Sequence, residues 1–170
     1  MKLDLSFRTW LHPGLLESIE RHGDFLLASG ERSTVFYDVA SLHEDATKSN
    51  LIVNSLAWLI SLAGTPHGAV ISGVPNGGLA WACMVAYLTG RQLLPVSRTF
   101  ILRQTARPVS HVILIEDVMT TGGSVQKVLD SLPQGIGATV VPILIRGQSF
   151  PNLLSDVRVI PLYEVEEGTT

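Results

Sequence analysis

The chain has a single cysteine, Cys83, among its 170 residues. An internal disulfide is therefore excluded, and a lone thiol fits a reducing compartment. The surrounding run, LAWACMVAYL, predicts a small buried hydrophobe on a helix rather than a nucleophile. Charge is scarce as well: 16% of residues are charged, against about a quarter in an ordinary soluble domain. The formal net charge of -3 comes with no clustered basic face, so nothing marks a nucleic-acid binder. Long apolar runs are also missing. No segment approaches the ~20 residues of a membrane span, and Asn54 with its polar neighbours breaks the best candidate. The first ten residues, MKLDLSFRTW, lack the apolar stretch of a signal peptide. A soluble, cytoplasmic protein with no membrane partner is expected.

What the chain has in plenty is apolar side chains, 46% of the total. A single domain of this length buries a full core, and so little charge fits a buried self-association face and an apolar two-layer core equally well. The five histidines, His12, His22, His43, His67 and His111, are scattered without metal-ligand spacing. His111 reads as the opening residue of a strand.

Strand-like runs alternate with helix-like ones, which predicts an α/β fold with a parallel twisted sheet flanked by helices. Leu15 to His22 reads as an amphipathic helix ended by Gly23. Two extended segments around a turn at Ser29 to Arg32 follow, then a helix from about Asp45 to Leu62 closed by Gly64 and Pro66. Gly68 to Ser72, Leu93 to Val96, His111 to Glu116, Thr139 to Ile145 and Val157 to Leu162 read as strands. Leu79 to Leu88 and Ser124 to Leu132 read as helices. The central strands are apolar on both faces, as a sheet covered by helices requires.

The most informative segment is VILIEDVMTTGGS. Val112 to Ile115 make a buried strand, and Glu116 and Asp117 stand at its carboxyl end, the edge where open α/β sheets bind ligands. Thr120, Thr121, Gly122, Gly123 and Ser124 then lead into a helix. Small residues let backbone amides close around a phosphate, and hydroxyls add donors. The spacing is not that of the Walker loop, which ends Gly-Lys-Ser/Thr, nor that of the dinucleotide fingerprint. Two acids beside an anion site suit a ligand that also carries hydroxyls or Mg²⁺. A sugar phosphate meets both conditions.

This segment resembles the signature with which type I phosphoribosyltransferases bind 5-phosphoribosyl-1-diphosphate (PRPP). The resemblance implies that Glu116 and Asp117 hold the ribose hydroxyls and that Thr120 through Ser124 take the 5-phosphate. ISGVPNGGLA resembles the family's diphosphate loop and implies contacts from Gly73, Val74, Asn76, Gly77 and Gly78. Over nearly its full length the chain is similar to the orotate branch. GDFLLASGERSTVFYD resembles that branch's N-terminal hood, through Gly23, Phe25, Leu27, Ser29, Gly30, Ser33, Phe36 and Tyr37. The likeness implies that Phe36 and Tyr37 lie against the base, helped by Thr120, and that Arg146 in VPILIRGQ binds the orotate carboxylate. It also implies a hood of about residues 1–42 plus a C-terminal segment, a core of about 45–146, Mg²⁺ carried mainly by PRPP near Glu116 and Asp117, and paired subunits.

Two departures stand out. The hood lysine of the orotate enzymes is replaced by Ala28, and their long mobile loop, opening Arg-Lys-x-x-Lys, is shortened to FILRQTARPVSHVILIED. Arg103 matches the opening arginine, Gln104 stands for the first lysine and Arg107 for the second. Arg103 is the cation left to contact the diphosphate, and with Glu116 and Asp117 it forms the expected catalytic set. Two readings follow: a transferase acting on orotate or another base, or a catalytically weak PRPP or nucleotide sensor.

Overall fold

A computed structural model describes residues 13–27, 30–97, 108–147 and 157–165. The chain forms two compact units, 1–50 and 51–170. Ala28, Ser29, Arg103, Gln104 and Arg107 lie outside the described residues, so the expectations placed on them are not addressed by the structure.

In the first unit α1 (Pro13–Ile19) is followed directly by β1 (Glu20–Leu26), which pairs antiparallel with β2 (Arg32–Tyr37). The helix expected to reach His22 therefore stops at Ile19. Glu20, Arg21 and His22 are claimed by Tyr37, Phe36 and Val35 across the hairpin, and a seven-residue helix has too little cooperativity to compete. Gly23 sits where the register shifts between His22 and Phe25, within the strand rather than at a helix end. Phe25 and Phe36 meet on one face, ring centroids 5.5 Å apart. A 3-10 helix (Val39–Glu44) contacts α1, and Leu15, Ile19, Val39 and Leu42 are buried. The Asp45 carboxylate accepts from the amides of Thr47 and Lys48, which starts α2 (Ala46–Leu62).

The second unit is built on β3 (Val70–Gly73), β4 (His111–Met119), β5 (Gly137–Arg146), β6 (Arg158–Val159) and β7 (Tyr163–Val165). All pairings are parallel: β3 and β5 flank β4, while β6 and β7 pair with successive stretches of β5. Val112, Ile113, Leu114, Ile115, Val140, Val141, Ile143 and Leu144 are wholly buried. Apolar residues on both faces of the strand thus find cover, the reason these runs show no alternation. α3 (Gly77–Thr89) packs on β3 and β4 and ends at Gly90, whose φ of 64° is the left-handed cap that glycine adopts without strain. α4 (Gly123–Leu129) places Val125, Val128 and Leu129 in a core shared with Val112, Leu114 and Val140.

Three expectations change. Leu93 to Val96 makes isolated bridges in place of a strand, one from Leu93 to Ile71 and one at Val96, because Pro95 offers no amide to prolong a ladder. Val157 to Leu162 narrows to the two residues of β6, and Pro161 separates it from β7, which the sequence did not announce. Cys83 is exposed, on the outer side of α3 with Tyr87 and Leu88, so it is not a buried hydrophobe.

Candidate active site

The carboxyl end of β4 carries the two acids, and the strand extends past them to Met119. Glu116 is buried and Asp117 half-buried. The amide of Asp117 donates to Glu116 Oε1 at 3.1 Å, and the amide of Val118 donates to Asp117 Oδ1 at 2.8 Å. Burial pushes the Glu116 carboxyl well above the usual carboxylate range, and the hydrogen bond and charge of Asp117 push it the same way. Two acids with little water between them do not ionise as readily as two apart. Such a pair is suited to a ligand that brings hydroxyl groups and replaces the lost water.

Beyond Met119, Thr120 and Thr121 are half-buried, Gly122 is buried, Gly123 is half-buried and Ser124 is exposed. Gly122 has φ 76° and ψ 5°, a left-handed conformation that turns the chain into α4. Its carbonyl accepts from Gln126, and no side chain caps the helix. The first amides of a helix lack partners within it.

The glycine loop between β3 and α3 lies against the same acids. The Val74 amide donates to the Ile115 carbonyl at 2.9 Å, and the Gly78 amide to the Val74 carbonyl at 3.0 Å. The peptide between Pro75 and Asn76 is cis, and Asn76 is exposed at the start of α3. A β-carbon on Gly73 would collide with Gly78 and Leu79, one on Gly78 with the Ile115 carbonyl, and one on Gly77 with the Asp117 carboxylate. Glycine at 77 and 78 lets this loop approach the end of β4, and glycine at 73 lets the loop close on itself.

The structure therefore brings Gly73, Val74, Asn76, Gly77, Glu116, Asp117 and the Thr120 to Ser124 loop to one edge of the sheet. Arg146 ends β5, one position beyond the Met119 to Ile145 pairing, which sets it beside Thr120. Phe36 and Tyr37 end β2 in the other unit, where Phe36 packs on Phe25. What sequence reasoning missed is the direct apposition of Gly77 and Asp117. The motifs assigned the two loops to different parts of one ligand, and no local pattern says that the loops touch.

No protein-family model matches the chain. An orotate phosphoribosyltransferase from Aeropyrum pernix is 31% identical over 148 residues, spanning 81% of this chain and 77% of the relative. One from Methanococcus maripaludis is 29% identical over 168 residues, with 86% and 85% covered. The crystal structure of the Aeropyrum pernix orotate phosphoribosyltransferase superposes with a TM-score of 0.74 at 30% identity, over 89% of this chain and 92% of that one. A parallel sheet with two loops meeting at its carboxyl edge is thus the type I phosphoribosyltransferase fold, and the chain belongs to the orotate phosphoribosyltransferase family.

Proposed function

We propose that the chain transfers the 5-phosphoribosyl group from PRPP to orotate, or to a closely related nitrogen base, in pyrimidine nucleotide synthesis. The observation that carries this reading is the meeting of the Gly77 loop with Asp117 at the end of β4. One loop is shaped for a diphosphate, the other for a phosphate, and the acids between them suit a ribose. In the reaction the bond from ribose C1 to diphosphate breaks with its electrons leaving on the diphosphate. A ring nitrogen of the base forms the new bond to C1 and gives its proton to solvent.

Each residue has a part in this proposal. Glu116 and Asp117 bind the ribose hydroxyls and oppose the positive charge that gathers near C1. Thr120, Thr121, Gly122, Gly123 and Ser124 hold the 5-phosphate. Gly73, Val74, Asn76 and Gly77 line the diphosphate, whose growing charge Arg103 offsets. Phe36, Tyr37, Thr120 and Arg146 receive the base. Among the described residues no three His, Cys, Asp or Glu side chains gather into a metal site. One or two carboxylates plus ligand phosphates are nevertheless the donor set Mg²⁺ commonly takes, and Glu116 and Asp117 fit it. Bound there, Mg²⁺ would supply positive charge to the diphosphate.

We also read the chain as a cytoplasmic homodimer, one functional domain with a hood of about 1–42 plus a C-terminal segment and a core of about 45–146. Support for pairing comes from α3, which carries no charged residue yet leaves Tyr87 92% exposed and Leu88 48% exposed. No described helix is long and apolar enough to cross a membrane.

The test is a turnover assay with PRPP, Mg²⁺ and a panel of bases. Diphosphate release that depends on orotate supports the proposal. Tight PRPP binding without turnover on any base would replace it with a PRPP or nucleotide sensor, the reading that Ala28 and the short loop favour.

A further inference from the structure

At the opposite edge of the sheet, where the strands begin, the second unit contains a cavity of about 680 Å³. That is within the range of small-molecule sites, roughly 300–1,000 Å³. Its walls include Leu132, Ile136, Ala138 and Val157, all partly buried and packed against the core formed with α4. Apolar walls are what such sites usually present, with a few polar groups to orient the occupant.

The polar side chains among its described walls are Thr65, His111, Gln134, Thr139 and Arg158. His111 Nε2 lies 2.9 Å from Thr139 Oγ1. A β-carbon on Gly137 would come within 2.7 Å of His111 Nδ1, so the ring keeps its place only beside a glycine. Burial, then the charge of Arg91, pushes His111 below its ordinary range, which leaves the ring neutral near pH 7. Among the described residues no aspartate or glutamate lines the cavity, and Arg158 is the one ionised side chain. The guanidinium donates from Nη1 to the Ala63 carbonyl. A guanidinium has five donors, and a carbonyl brings no compensating negative charge.

We propose that this cavity is a second ligand site, separate from the carboxyl-edge cradle, which takes a small molecule with an apolar, ring-sized body and one carboxylate or phosphate held by Arg158. The walls receive the ring, and the guanidinium sets the sign of the charge. PRPP does not match: it is highly charged and has no apolar body to place against Leu132 and Ile136. The proposal stands whether or not the carboxyl edge transfers a ribosyl group.

The test uses the full chain with labelled methyl groups, titrated by NMR with benzoate, phenyl phosphate and neutral benzyl alcohol. Benzoate or phenyl phosphate should shift the methyls of Leu132, Ile136, Ala138 and Val157, and the stronger of the two names the anionic group. Benzyl alcohol should bind about tenfold more weakly, as should either anion in Arg158→Gln, the loss expected for one charge-assisted hydrogen bond. Leu132→Trp fills the cavity without touching Arg158 and should abolish the shifts, which decides the matter if Arg158→Gln fails to fold. Excess PRPP should leave them in place. Unmoved methyls at saturating probe, equal binding by Arg158→Gln in its folded form, equal binding of benzyl alcohol, or displacement by PRPP would overturn the proposal.

Discussion

Gly77 lies so close to the Asp117 carboxylate that a β-carbon at position 77 would overlap it. The two residues belong to different loops, one following β3 and the other at the end of β4, and their contact joins the loops into one edge site. Gly77→Ala should therefore displace Asp117 rather than simply fill space. We expect turnover to fall by about 100-fold, the scale of a misplaced reacting group. The cost in stability should be about 1–3 kcal/mol, as for other overpacked sites. Steady-state kinetics and urea unfolding on the same preparation separate the two effects.

Asp117→Asn keeps the shape of the side chain and removes its charge. PRPP binding should weaken by about tenfold, the loss of one charged hydrogen bond, while the unfolding midpoint changes little. Calorimetry with PRPP and Mg²⁺ checks this. An unchanged affinity would remove Asp117 from the ribose site.

Glu116 gives the protein a pH dependence of stability with a definite sign. Its folded-state pKa is raised, so the native protein holds that proton more tightly than the unfolded chain. Stability from this group is fully present below the unfolded carboxylate pKa. It is lost as pH rises from there through the raised folded value. Glu116→Gln should be more stable than the parent protein above that window, with the gap closing as pH falls into it. Urea midpoints across the acid to neutral range report the difference.

Tyr163 carries a buried hydroxyl with no hydrogen-bond partner among the described residues, and burial pushes its phenol up to about 12. Tyr163→Phe removes an unsatisfied donor from the end of the sheet and should raise stability by about 1 kcal/mol. A higher urea midpoint with an unchanged slope would confirm it.

Arg103→Ala should nearly abolish turnover while leaving nucleoside 5-phosphate binding largely intact, since that ligand has no diphosphate. Comparing kcat with the affinity for the monophosphate product tests the assignment. Equal turnover in the variant would refute it.

By itself the sequence determined the class of fold and the likeness to phosphoribosyltransferases. The reason is that those signals are local. A run such as Val112 to Ile115 must be buried on both faces, and an acid pair followed by Thr-Thr-Gly-Gly is a continuous segment whose chemistry is written in order. Tertiary structure decided what depends on partners distant in the chain. The residues from Glu20 to His22 became strand because β2 was there to pair with them, and Pro95 left Leu93 to Val96 with isolated bridges in place of a strand. Cys83, placed in the interior by its apolar neighbours, faces outward because β3 and β4 take the Trp81, Ala82 and Val85 side of α3. The contact of Gly77 with Asp117 and the cavity below Arg158 were illegible for the same reason. Each arises where separate loops converge, and the geometry of that convergence is set by the sheet order, which no single segment encodes.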